Sequence, residues 1–296
     1  MRPSDRVART GLPSGVGQLE DSGLEMGKST SDELKRVRHE PPDRSRRSRY
    51  RRAILVAVVG NALLALAKGV VAWTSGSSAV LSDAANSVSD LLYSLLMAAG
   101  LYVAQQPADE THPQGHSRFD PLVSLLIAVA MGVAGFTAVK EGVRRFVGGG
   151  GAVPPFWPTL VLLASAAVKV GMYWVVRDLG RSASSPALRA SARDNLADVL
   201  ASLAAWLGVA GSNVLHPLLD PIAGLVVALW IFRATWEIVS ENVGYLTGRA
   251  APPEVVDGIV AAASAVPGVR NVHQVIADYV GPELRVDMHI DVNGEM

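Results

Sequence analysis

The chain has 296 residues, with 27 Lys and Arg balancing 27 Asp and Glu, 49% apolar side chains and 18% charged ones. Soluble domains carry about 25% charge, so this composition points to a membrane. The sequence contains no cysteine, which excludes a disulfide framework, thiolate metal ligation, iron–sulfur chemistry and a cysteine nucleophile.

The zero net charge hides an asymmetry. Residues 1–52 hold 13 basic and 8 acidic side chains, residues 53–250 hold 12 of each, and residues 251–296 hold 2 and 7. The first region is rich in Gly, Pro, Ser and charge with no apolar period, and is expected to be a disordered basic arm. It ends in Arg44-Ser-Arg-Arg-Ser-Arg-Tyr-Arg-Arg52, which suits orientation and contact with anionic lipid. No aromatic platform accompanies these arginines, so nucleic acid is not expected as a partner.

Six apolar stretches follow, at about 53–74, 79–104, 119–143, 155–177, 186–212 and 217–240. Each is long enough for a bilayer that takes about 20 helical residues. Arg118 follows the second stretch, and Arg177, Arg181 and Arg189 surround the connection after the fourth, whereas the connections after the first and fifth have no Lys or Arg. With the arginine-rich arm, this puts both termini in the cytoplasm. Arg144 and Arg145 run against that count and read as interfacial anchors. Residues 246–296 read as a small cytoplasmic unit. A helix starts at Pro252-Pro253-Glu254 and runs to about Ala263, and two strands flank a Gly281-Pro282 turn. The expected fold class is thus a membrane all-α protein of six transmembrane helices over 53–245, followed by a small α/β domain.

Charged side chains inside a membrane helix cost roughly 2.5–3.5 kcal/mol each on insertion scales, and are functional by default. The second stretch carries Asn86 and Asp90, with Asp83 three residues earlier, and the fifth carries Asp194 and Asp198. The i, i+4 spacing stacks each pair on one helix face. Two such helices packed side by side close a four-ligand cage of oxygens. Capping or interhelical hydrogen bonding explains a single Asn, but poorly explains three carboxylates and an amide duplicated at one spacing. No nucleophile, phosphate loop or cofactor fingerprint accompanies them, so a cation site is a better account than catalysis. No resident cofactor is expected.

In its order of motifs the chain resembles the cation diffusion facilitator family over roughly residues 53–296. The marks are six helices, ligand pairs on the second and fifth, His112-Pro-Gln-Gly-His-Ser-Arg-Phe-Asp120 leading into the third, and Val-Pro-Gly-Val-Arg-Asn-Val-His in the cytoplasmic unit. The resemblance implies a homodimeric exporter in the lipid bilayer that moves divalent metal out of the cytoplasm in exchange for protons. A bacterial inner membrane is the expected location. The resemblance puts the transport site on Asn86, Asp90, Asp194 and Asp198, a set that resembles the manganese branch. Carboxylate and amide oxygens suit Mn²⁺, whereas imidazole suits Zn²⁺. Efflux of Zn²⁺, Co²⁺, Cd²⁺ or Fe²⁺ by the same route, or a metal sensor or scaffold on a transporter-like body, are the alternatives.

The resemblance also implies two further candidate metal sites, Asp109, His112 and His116 in the loop before the third helix, and His273, His289 and Asp291 in the cytoplasmic unit. It implies a ferredoxin-like cytoplasmic domain with a second helix and third strand, which this sequence does not carry beyond Asn293-Gly-Glu-Met296, so that domain is expected to be incomplete. If the donor-type argument holds, Asn86→His shifts preference from Mn²⁺ towards Zn²⁺ in a transport assay; an unchanged Mn²⁺ preference counts against it.

Overall fold

The six apolar stretches form six long helices: α1 (Arg44–Ser75), α2 (Ser78–Ala104), α3 (Phe119–Val147), α4 (Phe156–Ser182), α5 (Pro186–Val214) and α6 (Leu219–Leu246). These come from a computed structural model that describes residues 44–75, 78–148, 156–214, 216 and 218–294. Four segments are long and apolar enough to cross a membrane by length and composition, namely Arg44–Thr74, Asp83–Ala104, Phe119–Val147 and Pro221–Leu246. α4 and α5 do not reach that criterion among the described residues. α5 loses apolar character because Arg189, Arg193, Asp194 and Asp198 crowd its first half.

The helices pack mainly as pairs, α3 with α6, α1 with α2 and α4 with α5, with α5 also against α6 and α1 against α4. Their buried seams use small and medium side chains such as Ala53, Ala57, Ala128, Met131, Ala190 and Ala234. Such seams suit helices that gain nothing from hiding apolar surface and must rely on close contact. At Gly100 the α2 backbone lies so close to Val123 of α3 that a Cβ would collide with it. Large apolar side chains point outwards instead, among them Leu55, Leu63, Leu66, Trp73, Phe136, Leu229 and Trp236.

The disordered arm expected over 1–52 needs correction at its end, because α1 already begins at Arg44; residues 1–43 lie outside the described residues. Arginine is a good helix former, and the added turns have tertiary partners. Arg46 donates through Nε to the Ala183 carbonyl (3.1 Å) and through Nη1 to Glu283 (2.8 Å), and Tyr50 is buried.

The C-terminal unit consists, among the described residues, of α7 (Pro253–Ser264) and two antiparallel strands, β1 (Val269–Val280) and β2 (Glu283–Val292). Gly281 makes the turn with φ 62°, a left-handed conformation suited to glycine, and a Cβ there would strike the Ser117 carbonyl. The unit is tied to the helical body at that turn. Ser117 Oγ donates to the Val280 carbonyl (2.9 Å), Ala251 N–H to the Ala277 carbonyl (2.8 Å) and Tyr279 N–H to the Arg249 carbonyl (3.0 Å). α7 buries none of its residues, so the unit has little core of its own.

One buried carboxylate joins three helices. Asp120, 1% exposed in the first turn of α3, accepts from Tyr50 of α1 (2.8 Å) through Oδ2. Its Oδ1 accepts from the Ser185 hydroxyl (3.0 Å) and from Ala187 N–H (2.8 Å), two residues that open α5. Ser185 Oγ in turn accepts from Leu188 N–H (3.3 Å), and Pro186 occupies the first helical position, where its missing N–H costs nothing. Asp120→Ala strips three buried donors and should cost about 2–4 kcal/mol, read as a lowered unfolding temperature in detergent. An unchanged midpoint would show that this junction does not hold α5 in place.

Candidate metal centre

Asp90 sits beside the midpoint of α2, and Asp198, with Asp194 one turn before it, lies in the middle of α5. One carboxylate oxygen from each of the three lies within 4.8 Å of the others, and all three side chains are half-buried. The helix positions explain the convergence. α5 is fixed at its start by Asp120, so its third and fourth turns present Asp194 and Asp198. α2 is fixed at Asp90 by Asn61 of α1, which donates from Nδ2 to Ser94 Oγ (2.6 Å) and to the Asp90 carbonyl (3.4 Å). Ser94 Oγ also donates to that carbonyl (2.8 Å).

A fourth charged group completes the cluster. Lys169, 4% exposed, is the central residue of α4, with 13 residues on either side. Its Nζ donates to Asp90 Oδ2 (2.9 Å) and lies 2.7 Å from Asp198 Oδ2. A buried lysine needs such partners, and three carboxylates this close need a cation. Lys169 is absent from the candidates that spacing and resemblance supplied, although its signal was present: it is the one charge in the apolar run from Leu160 to Val176.

Asn86, one turn before Asp90, is exposed and lines the same cavity of about 190 Å³, together with Asp83, Asp90, Lys169 and Asp198. Asp83, near the start of α2, is held by Lys68 of α1 (Nζ to Oδ1, 2.9 Å), a buried lysine. Glu141, at the end of α3, is clamped by Arg144 (2.8 Å) and Arg145 (2.7 Å), which joins the two anchor arginines to one carboxylate.

The loop triad also converges. Asp109, His112 and His116 each offer a ligand atom within 4.8 Å of the others. Asp109 Oδ1 accepts from the Thr111 hydroxyl (2.7 Å), Thr111 N–H (2.9 Å) and His112 N–H (2.6 Å). These bonds, the hydroxyl's foremost, hold its carboxyl down to about 2, so it is ionised throughout the physiological range. His116 Nδ1 lies 3.1 Å from the Pro107 carbonyl, which can only accept, so that nitrogen carries the proton. Its Nε2 then faces Asp109 Oδ2 at 3.4 Å. A carbonyl behind a histidine is the usual support for a metal ligand, and it leaves Nε2 turned towards the Asp109 carboxylate.

The C-terminal candidates are less concentrated. His273 and His289 are cross-strand partners with ring centroids 5.7 Å apart, and His273 Nδ1 lies 3.8 Å from Asp291. All three side chains lie on a ladder whose register is interrupted after His273, where Gln274 has φ 49°. Among the described residues, three-ligand convergence occurs at the other two clusters and not here.

Comparison with known proteins agrees with this architecture. A family model for the cation efflux transmembrane domain matches residues 54–247, and one for the cation efflux protein cytoplasmic domain matches residues 251–296. The chain is 33% identical over 239 residues to an uncharacterized transporter of Methanocaldococcus jannaschii, covering 81% of this chain and 84% of that protein. It is 31% identical to metal tolerance protein 2 of Oryza sativa subsp. japonica, over 81% of this chain and 69% of the relative. It is 25% identical to the manganese efflux system protein MneP of Bacillus subtilis (strain 168), over 83% and 85%. The chain belongs to the cation diffusion facilitator family. It is an integral membrane protein and a transporter of divalent metal, not an enzyme.

Because Lys169 bridges Asp90 and Asp198, the two carboxylates are energetically coupled. Asp90→Asn and Asp198→Asn together should cost about 1–3 kcal/mol more than the sum of the single changes, since only the double variant strips both direct partners from the ammonium. Thermal unfolding in detergent measures this; additivity within about 0.5 kcal/mol would show that the bridge carries no coupling.

Proposed function

We propose that the protein exports Mn²⁺ from the cytoplasm in exchange for protons, through a transport site made of Asn86, Asp90, Asp194 and Asp198. The observation that carries this reading is the convergence of three carboxylates at mid-helix, where the bilayer is driest. The donors are oxygens, which favour Mn²⁺ over Zn²⁺ on ligand type. A similar protein bears the name of a manganese efflux system, in keeping with this choice.

The carboxylates must be deprotonated to hold a metal ion, so metal entry displaces protons and metal release lets them return. That linkage gives antiport its chemical basis in this reading. α1 to α6 all span the membrane. α4 and α5 are tolerated despite their charges because Lys169, Asp194 and Asp198 face one another inside the bundle rather than lipid. Both termini are cytoplasmic, with the transmembrane domain running to about residue 245 and 246–296 as a cytoplasmic domain. A bacterial inner membrane is the setting.

The helix–strand–strand unit forms part of a ferredoxin-like domain that brings two copies of the chain together as a homodimer. The exposed face of α7 and the thin core of the unit support a role in pairing. Asp109, His112 and His116 hold a second ion at the cytoplasmic mouth, and His273, His289 and Asp291 a third that would offset the acidic balance of this unit.

Proteoliposomes with an imposed pH gradient test the reading. Mn²⁺ should move faster than Zn²⁺, Fe²⁺ or Co²⁺, and Asp90→Ala should abolish flux. Faster Zn²⁺ movement would overturn the assignment of metal, and retained flux in Asp90→Ala would overturn the site.

A further inference from the structure

Lys169 is the one buried cation at the centre of the carboxylate cluster among the described residues, and its position bears on how metal is held and released. Its Nζ engages Oδ2 of Asp90 at 2.9 Å and Oδ2 of Asp198 at 2.7 Å, one oxygen from each of the two ligand helices. A divalent cation bound by these carboxylates would draw on the same two groups. It would also stand within a few ångströms of an ammonium, where like charges repel strongly in a medium of low dielectric constant. Both cannot occupy the space between Asp90 and Asp198.

Resting on the transport reading above, we propose that Lys169 is a tethered surrogate cation. It fills the transport site when metal is absent, yields when metal enters, and so sets the affinity for metal and drives its release. The lysine suits this role. It is a compact charge on a flexible four-carbon stem, unlike the planar fork of arginine, so it can leave without disturbing the helix that carries it. Space for that movement exists beside it. The cavity of about 190 Å³ is lined by Lys169, by Ser165 one turn earlier on α4, and by Asn86 and Asp83 on α2. Lys68 already neutralises Asp83 at the outer end, so the central carboxylates have Lys169 as their nearest positive charge among the described residues.

The arrangement solves a problem that a cage of anions creates. Three carboxylates and an amide in a dry site would hold a divalent ion tightly and let it go slowly, and the emptied site would then be unstable on the return stroke. A tethered ammonium lowers affinity by competition and stabilises the empty cage. Its effect is therefore opposite to that of a ligand or a packing residue, whose loss weakens binding.

The experiment compares Mn²⁺ flux in proteoliposomes for the parent chain, Asp90→Ala, Lys169→Met and Lys169→Arg. In Lys169→Met the KM for Mn²⁺ should fall by about tenfold or more while kcat falls too, because removing a like charge tightens binding and the emptied site returns more slowly. Lys169→Arg keeps the charge in a fork that yields less readily, so its KM should stay at or above that of the parent, and a KM that falls as in Lys169→Met overturns the surrogate role. A KM that rises or stays unchanged in Lys169→Met, with an active parent and an inactive Asp90→Ala, overturns the surrogate role and leaves the transport reading intact. A parent that moves no metal overturns both. Should Lys169→Met fail to fold, displacement is tested on the parent chain alone. Saturating Mn²⁺ should raise the rate at which an amine-reactive reagent modifies Lys169, read by peptide mass spectrometry, and an unchanged rate overturns displacement.

Discussion

An anion cluster in the middle of an apolar bundle requires a compensating positive charge, and the rest of this structure is organised around that constraint. Asp90, Asp194 and Asp198 present oxygens within 4.8 Å of one another on two helices that pack in a largely apolar body. Coulomb repulsion among three such groups rises as the local dielectric falls, so the cluster persists only when protons or a cation neutralise it. In this structure Lys169 meets part of the demand from the centre of α4. In the proposed reading, the remaining negative charge is what a divalent ion would neutralise.

The fold serves the cluster by fixing helix registers at a distance. Asp120 ties α1 and α3 to the first turn of α5, and the strand turn at Gly281 rests on the segment just before α3. Arg46 joins α1 to both the α4–α5 connection and β2 through Ala183 and Glu283. The ends of four helices nearest the C-terminal unit are therefore locked together with it. The cavity near the carboxylates, by contrast, is lined by small side chains such as Ala166, Ala201, Ser202 and Ala205. Helix ends locked together beside a cavity lined in part by small side chains would suit the proposed transport, in which a central site opens to one side at a time.

Much of the candidate site was legible in the sequence because local spacing encodes it. An i, i+4 pair faces one direction on any helix, so Asp194 and Asp198 read as a unit before any packing is known. The loop triad of Asp109, His112 and His116 was legible through the family resemblance, and its short separation in the chain makes convergence easy. What spacing could not reveal was pairing across helices. Lys169 lies far from its partners along the chain, and Asn61, which pins the Asp90 turn, looks like an ordinary polar residue in an apolar run. The start of α1 was missed because composition suggested disorder, whereas Arg46 and Tyr50 owe their helical state to Glu283, Ala183 and Asp120 at great sequence distance. The C-terminal histidines do face each other across the strand ladder, but the register shift after His273 is a feature that alternation alone does not foretell.

Anomalous diffraction at the manganese edge, from crystals of the full chain grown with Mn²⁺, tests the central claim most directly. The expected result is a peak shared by the carboxylates of Asp90, Asp194 and Asp198, with the Lys169 ammonium withdrawn from both Oδ2 atoms. Manganese found only at Asp109, His112 and His116 or beside His273, with Lys169 still bridging Asp90 and Asp198, would contradict it.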